Sequence, residues 1–224
     1  MGTFIYIPLL KIKTTAMKKL FTLFVLALCL TNLKAQFVTI PDANFVTWLQ
    51  ANVPSAMNGN QMDTTSLSVT LRAKVFVENL GITDLTGIQY FDSLKTLDCG
   101  NVSFSGNQNI IFNLPPLPIT LDTLICGFNL LSSLPVLPNT LKVLACYFNN
   151  LTILPNLPTS LKHIDCSKNL LTNLPILPNS LETINCSFNQ ITTLPGLPNS
   201  ITNIRCSYNQ LASLPSLPNN LLVL

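Results

Sequence analysis

Charge, histidine and long apolar runs are all scarce in this 224-residue chain, and each scarcity removes a class of function. Charged residues make up 9%. That is too few for the dense basic stripe that neutralises phosphates, so nucleic-acid binding is not expected. The formal charge of +3 misleads, because Lys11, Lys13, Lys18, Lys19 and Lys34 crowd into the first 35 residues, which hold no acid. The remainder carries seven Lys/Arg against nine Asp/Glu, a net charge of about −2. Its cations, Arg72, Lys74, Lys95, Lys142, Lys162, Lys168 and Arg205, are spread thinly. There is one histidine, and the sequence has no phosphate-binding loop, no dinucleotide fingerprint and no pair of acids placed on a helix. No enzyme, no cofactor and no metal site are expected from such a set. No stretch reaches the ~20 apolar residues that a transmembrane helix needs. What is abundant is hydrophobic residues, at 48%, and proline, with 16 copies, a composition that suits a solenoid better than an ordinary globule.

The amino-terminal segment has the anatomy of a secretory signal peptide. Lys18 and Lys19 form a basic start, Leu20 to Leu30 a short apolar core, and Ala35 the small residue before a cut at Ala35/Gln36. Residues 1–16 precede a leader that is complete from Met17, which points to Met17 as the true start. A lipid anchor on Cys29 is disfavoured, since Leu28 stands where such a signal wants a small residue.

From residue 114 the pattern LPxLPxx-LxxLxCxxNxLxx recurs, placing Cys126, Cys146, Cys166, Cys186 and Cys206 at intervals of 20 residues. Val77 and Cys99, 22 apart, belong to a longer version of the unit, and the extra residues between Cys99 and Asn109 form a surface insertion. In Leu121, Leu124 and Cys126, or Leu161, Ile164 and Cys166, apolar residues bracket polar ones as in a short strand. One such strand cannot bury its apolar face, whereas stacked copies build a parallel sheet over a continuous core. Pro135 and Pro138 lack an N–H and cannot sit in a central strand, but they suit an extended, polyproline-like return that points Leu134 and Leu137 inward. The expected architecture has strands on a concave side and compact convex returns without full helices.

LxxLxCxxNxL resembles the leucine-rich-repeat signature, and the LPxLP return resembles its bacterial short-repeat subclass, known from secreted effectors. The resemblance runs from about residue 75 to the end and implies a leucine-rich-repeat solenoid. Ile40 to Gln50 is similar to the amino-terminal cap of exported bacterial proteins of this kind, with Phe45, Trp48 and Leu49 on one face of a short helix opened near Asp42. Such proteins often carry a calcium-loop-like stretch after that helix. Here Asn58, Asn60 and Asp63 are too few and misplaced for the D-x-[DN]-x-[DN]-G pattern, so no calcium is expected. The resulting division is a signal peptide over 1–35, a small helical cap over 36–74, and repeats over 75–224. The sequence stops at Leu224, partway through a strand and before the next cysteine, so the array reads as truncated mid-repeat, with an exposed apolar edge.

Six cysteines follow the leader, an even number that in an exported protein suggests disulfides. The register argues otherwise: all occupy one inward column on strands ~4.8 Å apart with parallel side-chain directions, whereas a bridge wants Cβ atoms ~3.8 Å apart and facing. A buried thiol ladder is expected, and a straight column does not converge on a metal. Asn129, Asn149, Asn169, Asn189 and Asn209 read as a buried structural ladder at the turn after each strand. His163, Asp165 and Ser167 alternate along one strand, so all three are expected to face the concave surface, and they superficially resemble a hydrolase triad. With ~6.6 Å between alternate residues, Asp165 falls between the other two and the geometry fails; Cys166 points to the opposite face.

The remaining candidates lie on the solvent side. Phe128, Phe148, Lys168, Phe188 and Tyr208, two residues past successive cysteines, align with Tyr147 into a largely aromatic row. The row is either a contact surface or a structural stack packed on itself. Lys142, His163, Asp165, Glu182, Asn185 and Arg205 vary in sign along the inner positions, which suits specific recognition. The expected function is a secreted or surface-exposed module that binds a protein partner through the concave face, with a glycan as the alternative ligand. A third class, the effector type that fuses similar repeats to a ubiquitin-ligase domain, is disfavoured by the leader and by the lack of a catalytic domain within the sequence.

Overall fold

Each turn of the chain contributes a strand of three residues, with one buried aliphatic side chain between two that face outward. These are β4 (Lys74–Phe76), β5 (Thr96–Asp98), β6 (Thr123–Ile125), β7 (Val143–Ala145), β8 (His163–Asp165), β9 (Thr183–Asn185) and β10 (Asn203–Arg205). The computed structural model describes residues 36–102 and 106–223, and the leader read over 1–35 lies outside them. The central residues Val75, Leu97, Leu124, Leu144, Ile164, Ile184 and Ile204 stand opposite one another, so a single register runs through the sheet. The seven strands pair in parallel and in chain order, the topology of a solenoid in which each turn rests only on its neighbours.

Behind the sheet the repeat pattern becomes stacked columns. Cys99, Cys126, Cys146, Cys166 and Cys186 form one, and Leu121, Leu141, Leu161, Leu181 and Ile201 another; all are buried. The returns carry no regular secondary structure. Leu134, Leu137, Leu174 and Leu177 turn into the core as the LPxLP pattern implies. The second proline of each return also starts a turn. Its carbonyl accepts the N–H three residues on, as in Pro138 to Leu141 and Pro158 to Leu161, both at 3.0 Å, and delivers the chain to the next strand. In the last described turn Leu214 and Leu217 are exposed.

Two polar ladders satisfy the backbone at opposite ends of the strands. The Oδ1 of Asn149 accepts the Leu131 N–H at 2.9 Å, while its amide donates to the carbonyls of Cys126 and Cys146 at 3.1 Å; Asn169 repeats this one turn later. Before each strand a hydroxyl reaches back to the previous turn, from Thr140 to Leu121 O, Ser160 to Leu141 O and Ser180 to Leu161 O, at 2.6–2.7 Å. The insertion after Cys99 preserves the first ladder. Asn109, displaced along the sequence, accepts the N–H groups of Leu80 and Ile82 and donates to Val77 O and Cys99 O.

The amino-terminal end is covered by α1 (Ala43–Asn52), whose N-cap Asp42 accepts the Phe45 N–H at 2.8 Å. Phe45 and Leu49 are buried on its inner face and Trp48 half-buried, as the sequence suggests. The second carboxylate oxygen of Asp42 takes the N–H and hydroxyl of Thr83, so one side chain both caps the helix and ties the cap to the first turn. The cap also contains an antiparallel sheet that the sequence does not announce. It consists of β1 (Phe37–Thr39), β2 (Met57–Asn58) and β3 (Gln61–Asp63), followed by α2 (Leu67–Thr70). The Asn58–Asp63 stretch therefore forms a hairpin, turned at Gly59 with φ +62°. At Gly87 (φ +112°) an added Cβ would come within 2.5 Å of Ile40 Cδ1, so only glycine fits beneath the cap.

Candidate recognition surface

The outward residues of β7 to β10 line a depression of about 300 Å³ across the sheet, with Ala145 and Thr183 on its floor and His163, Asp165, Asn185 and Arg205 around them. Each polar group but the last is held by a neighbour. His163 Nδ1 pairs with Thr183 Oγ1 at 2.9 Å, and its Nε2 lies 3.9 Å from Glu182 Oε2. Asp165 accepts the Ser167 N–H and hydroxyl, the latter at 2.6 Å, and its other oxygen takes the Asn185 amide at 3.2 Å. The guanidinium of Arg205 has no hydrogen bond or ion pair among the described residues, and the side chain is exposed.

These contacts reject the hydrolase constellation and correct one expectation. Ser167 does not face outward: it is 8% exposed and folded under the Asp165 carboxylate in a tight turn after β8. Asp165 thus serves Ser167 and Asn185, while His163 is engaged on the adjacent strand.

Lys142 and Glu182 lie one residue before their strands, on the rim of the sheet and not on the inner face. There Lys142 Nζ pairs with Asp122 at 2.9 Å and Lys162 Nζ with Glu182 at 2.7 Å. Asp122 and Lys162 are not among the sequence candidates, although opposite charges at the same repeat position, 20 residues apart, signal both pairs. The Lys142 ammonium lowers the pKa of Asp122, and Lys162 does the same for Glu182.

Along the opposite rim the row two residues past the cysteines is continuous. Phe128 and Phe148 stack at 4.3 Å and 15°, and Phe188 and Tyr208 at 4.2 Å and 11°. Lys168 Nζ fills the gap, 3.9 Å from the Phe148 ring centre and 5.2 Å from that of Phe188. All of these residues sit in the left-handed region, with φ between +50° and +57°. Each is therefore at a position where glycine or asparagine is the inexpensive choice. The first turn shows the ordinary solution, Asn79 at φ +52°.

Tyr147 meets Phe128 edge-on at 5.4 Å and covers Gly127 of the preceding turn. Its ring borders a niche of about 160 Å³ lined also by Glu78, Asp98, Asn101 and Ile125. In this niche burial pushes the Asp98 carboxyl up to about 6, and its hydrogen bond with the Glu78 carboxyl adds to the rise, against an opposing bond from the Gly100 N–H. Burial also raises the Tyr147 phenol, helped by the Asp98 and Asp165 charges.

The cysteine column is unbridged: Cys99, Cys126, Cys146, Cys166, Cys186 and Cys206 are free thiols, the last only half-buried. Burial drives the pKa of the interior thiols well above that of a free cysteine, which keeps them protonated and inert. No helix among the described residues is long and apolar enough to cross a membrane.

A family model described as Leucine Rich repeats (2 copies) matches residues 159–199. No curated protein matches the chain. Among solved structures, the functional domain of InlJ from Listeria monocytogenes, described as including a cysteine ladder, is 24% identical over 86% of this chain and 48% of its own, with a TM-score of 0.59. A Shigella effector leucine-rich-repeat domain is 32% identical over 67% of this chain and 56% of its own, TM-score 0.44. YopM from Yersinia enterocolitica is 27% identical over 62% and 43%, TM-score 0.41. The chain thus spans about half the length of the solved proteins it matches.

Proposed function

Taking a leucine-rich-repeat solenoid as the premise, we propose that this chain is an exported recognition module that binds a protein partner through its sheet face and the adjoining aromatic rim. The observation that carries the reading is the left-handed backbone beneath Phe128, Phe148, Lys168, Phe188 and Tyr208. A left-handed residue with a Cβ costs roughly 1–2 kcal/mol, and an aromatic pair returns roughly 0.5–1.5 kcal/mol. Stability alone therefore gives no reason to prefer these side chains to the asparagine used at Asn79. A contact surface does, since rings stacked in advance offer wide area at small entropy cost.

The same geometry weighs against the glycan alternative. A sugar stacks on open ring faces, but Phe148 lies between Phe128 and the Lys168 ammonium, and Phe188 between Lys168 and Tyr208, so the middle of the row offers chiefly edges. Export rests on the leader from Met17 to Ala35, and assignment to the LPxLP short-repeat subclass rests on the return motif. The reading is of a binder and not an enzyme, because His163, Asp165 and Ser167 are spent on separate structural bonds.

The test is a screen of the wild-type chain against an array of extracellular proteins, repeated with Ala145→Arg, which fills the floor of the sheet depression, and with Ile176→Arg on the far side. The reading expects a protein bound by the wild type and by Ile176→Arg but lost with Ala145→Arg. Partners indifferent to Ala145→Arg would defeat it.

A further inference from the structure

The charges on the sheet side are not evenly spent. Lys142 and Lys162 are neutralised on the rim by Asp122 and Glu182. Asp165 is satisfied by Ser167 and Asn185. In β8 to β10 and the turns that follow them, two cations have no acid paired with them among the described residues: Lys168, held against the rings of Phe148 and Phe188, and Arg205, exposed at the last residue of β10. They flank one groove of about 440 Å³ between the sheet and the aromatic rim, whose walls are Ser207, Asn185, Phe188 and Tyr208 and whose lining, among the described residues, includes no carboxylate side chain. The ring edges facing that groove carry the positive part of the aromatic quadrupole, so they reinforce the two cations.

We infer that this groove receives a carboxylate from an acidic segment of a protein partner, with Arg205 as its principal anchor. The inference rests on the sheet-face reading above and specifies the chemistry of its partner. Charge complementarity selects the occupant: a guanidinium matches a carboxylate through two parallel N–H bonds, and among the described residues no acid is paired with Arg205. Asn185, fixed between Asp165 and the Ser187 N–H, keeps the Asp165 charge engaged on the neighbouring strand. Near the amino-terminal cap the Glu78–Asp98 niche is acidic and disfavours the same ligand, so an acidic segment is directed away from it and towards Arg205.

The probe is a short fluorescein-labelled peptide of alternating glutamate and serine, with a lysine–serine peptide of equal length as the control. Anisotropy titrations use the full chain at low and at physiological salt. The acidic peptide is expected to bind and the basic one not to, with affinity falling as salt rises. Arg205→Glu is expected to weaken binding about tenfold or more. Lys95→Glu, an equal charge change at the far end of the sheet, leaves it within about twofold. Thermal melting of Arg205→Glu establishes that the variant folds, and Arg205→Gln gives an intermediate loss without a new charge. No binding of the acidic peptide, equal binding of the basic one, or indifference to Arg205→Glu overturns the inference. A protein captured in a manner sensitive to Ala145→Arg but indifferent to Arg205→Glu leaves the sheet-face reading standing while this assignment fails.

Discussion

The ring of Tyr147 occupies the space that a side chain on Gly127 would need: a Cβ there would stand 2.6 Å from Cζ. Gly127 is therefore glycine for steric and not conformational reasons, and the later turns, which carry Ser167, Ser187 and Ser207 in place of Tyr147, have no such neighbour to make room for. Gly127→Ala should destabilise the chain by about 1–3 kcal/mol by overpacking and should displace Tyr147 from its edge-on contact with Phe128. Adding Tyr147→Ser should recover most of the loss. Urea unfolding of the two single variants and the double variant measures the coupling directly.

The asparagine ladder should be expensive to break in the middle of the array. Asn169→Ala strips the Leu151 N–H and the carbonyls of Cys146 and Cys166 of their buried partner. The expected cost is about 2–4 kcal/mol, because unsatisfied buried groups lose their full solvation. Asn209 makes the same bonds where the chain is only half-buried, and Asn209→Ala should cost less than half as much. Equal losses in guanidinium unfolding would remove burial as the cause.

The pattern of the sequence carried the register of the sheet, because Leu124, Cys126 and Asn129 recur at one interval and each column has a single physical role. The left-handed conformation at Phe148 or Phe188 was not legible, since nothing in a bulky aromatic side chain signals a positive φ. The β1–β3 sheet of the cap escaped for a different reason: strands of two or three residues, paired between Phe37 and Asp63, leave too little alternation to detect. Alternation does not extend to Ser167, because β8 ends at Asp165 and its carboxylate turns the chain there. The twelve proposed contact residues divide accordingly. His163, Asp165, Asn185 and Arg205 share the sheet face, Lys142 and Glu182 belong to one rim, and the aromatic row with Tyr147 and Lys168 to the other.

Thiol reactivity should follow burial along the ladder. Among the described residues burial raises every thiol, well above the ordinary value at Cys126, Cys146 and Cys166 and to about 12 at Cys186, while Cys206 is raised and only part-covered. Iodoacetamide at neutral pH should therefore label Cys206 first. Cys126, Cys146 and Cys166 should react only at the rate of global unfolding. Peptide mapping by mass spectrometry over time distinguishes this order from uniform labelling, which would place the column nearer to solvent than the structure has it.

Asp98 should make the chain more stable in mild acid. Its carboxyl is raised from 3.8 to about 6 in the folded state, so between those values the folded chain holds a proton that the unfolded chain has released. The contribution is fully present below the unfolded value, declines as pH rises through that interval, and is absent above about 6. Asp98→Asn removes the dependence. At neutral pH the variant should be more stable by about 1 kcal/mol, a figure reduced for the half of the group that solvent screens. Unfolding midpoints of both chains across this range should converge towards the acid end and separate at neutral pH.

Phe188→Asn separates a contact role for the aromatic row from a structural one. The substitution places at Phe188 the residue that Asn79 already uses in the same conformation, and so relieves part of the left-handed penalty while losing the 4.2 Å stack on Tyr208 and the contact with Lys168. The two effects are of similar size and opposite sign, so the stability change should stay within about 1 kcal/mol. If the row is a contact surface, the same substitution should weaken binding of a captured partner by about tenfold or more, because it opens a gap in the middle of a pre-stacked rim. If the row is structural, the order reverses: unfolding shifts strongly and binding by folded protein does not. Measuring both quantities on this one variant separates a side chain kept for what it holds together from one kept for what it touches.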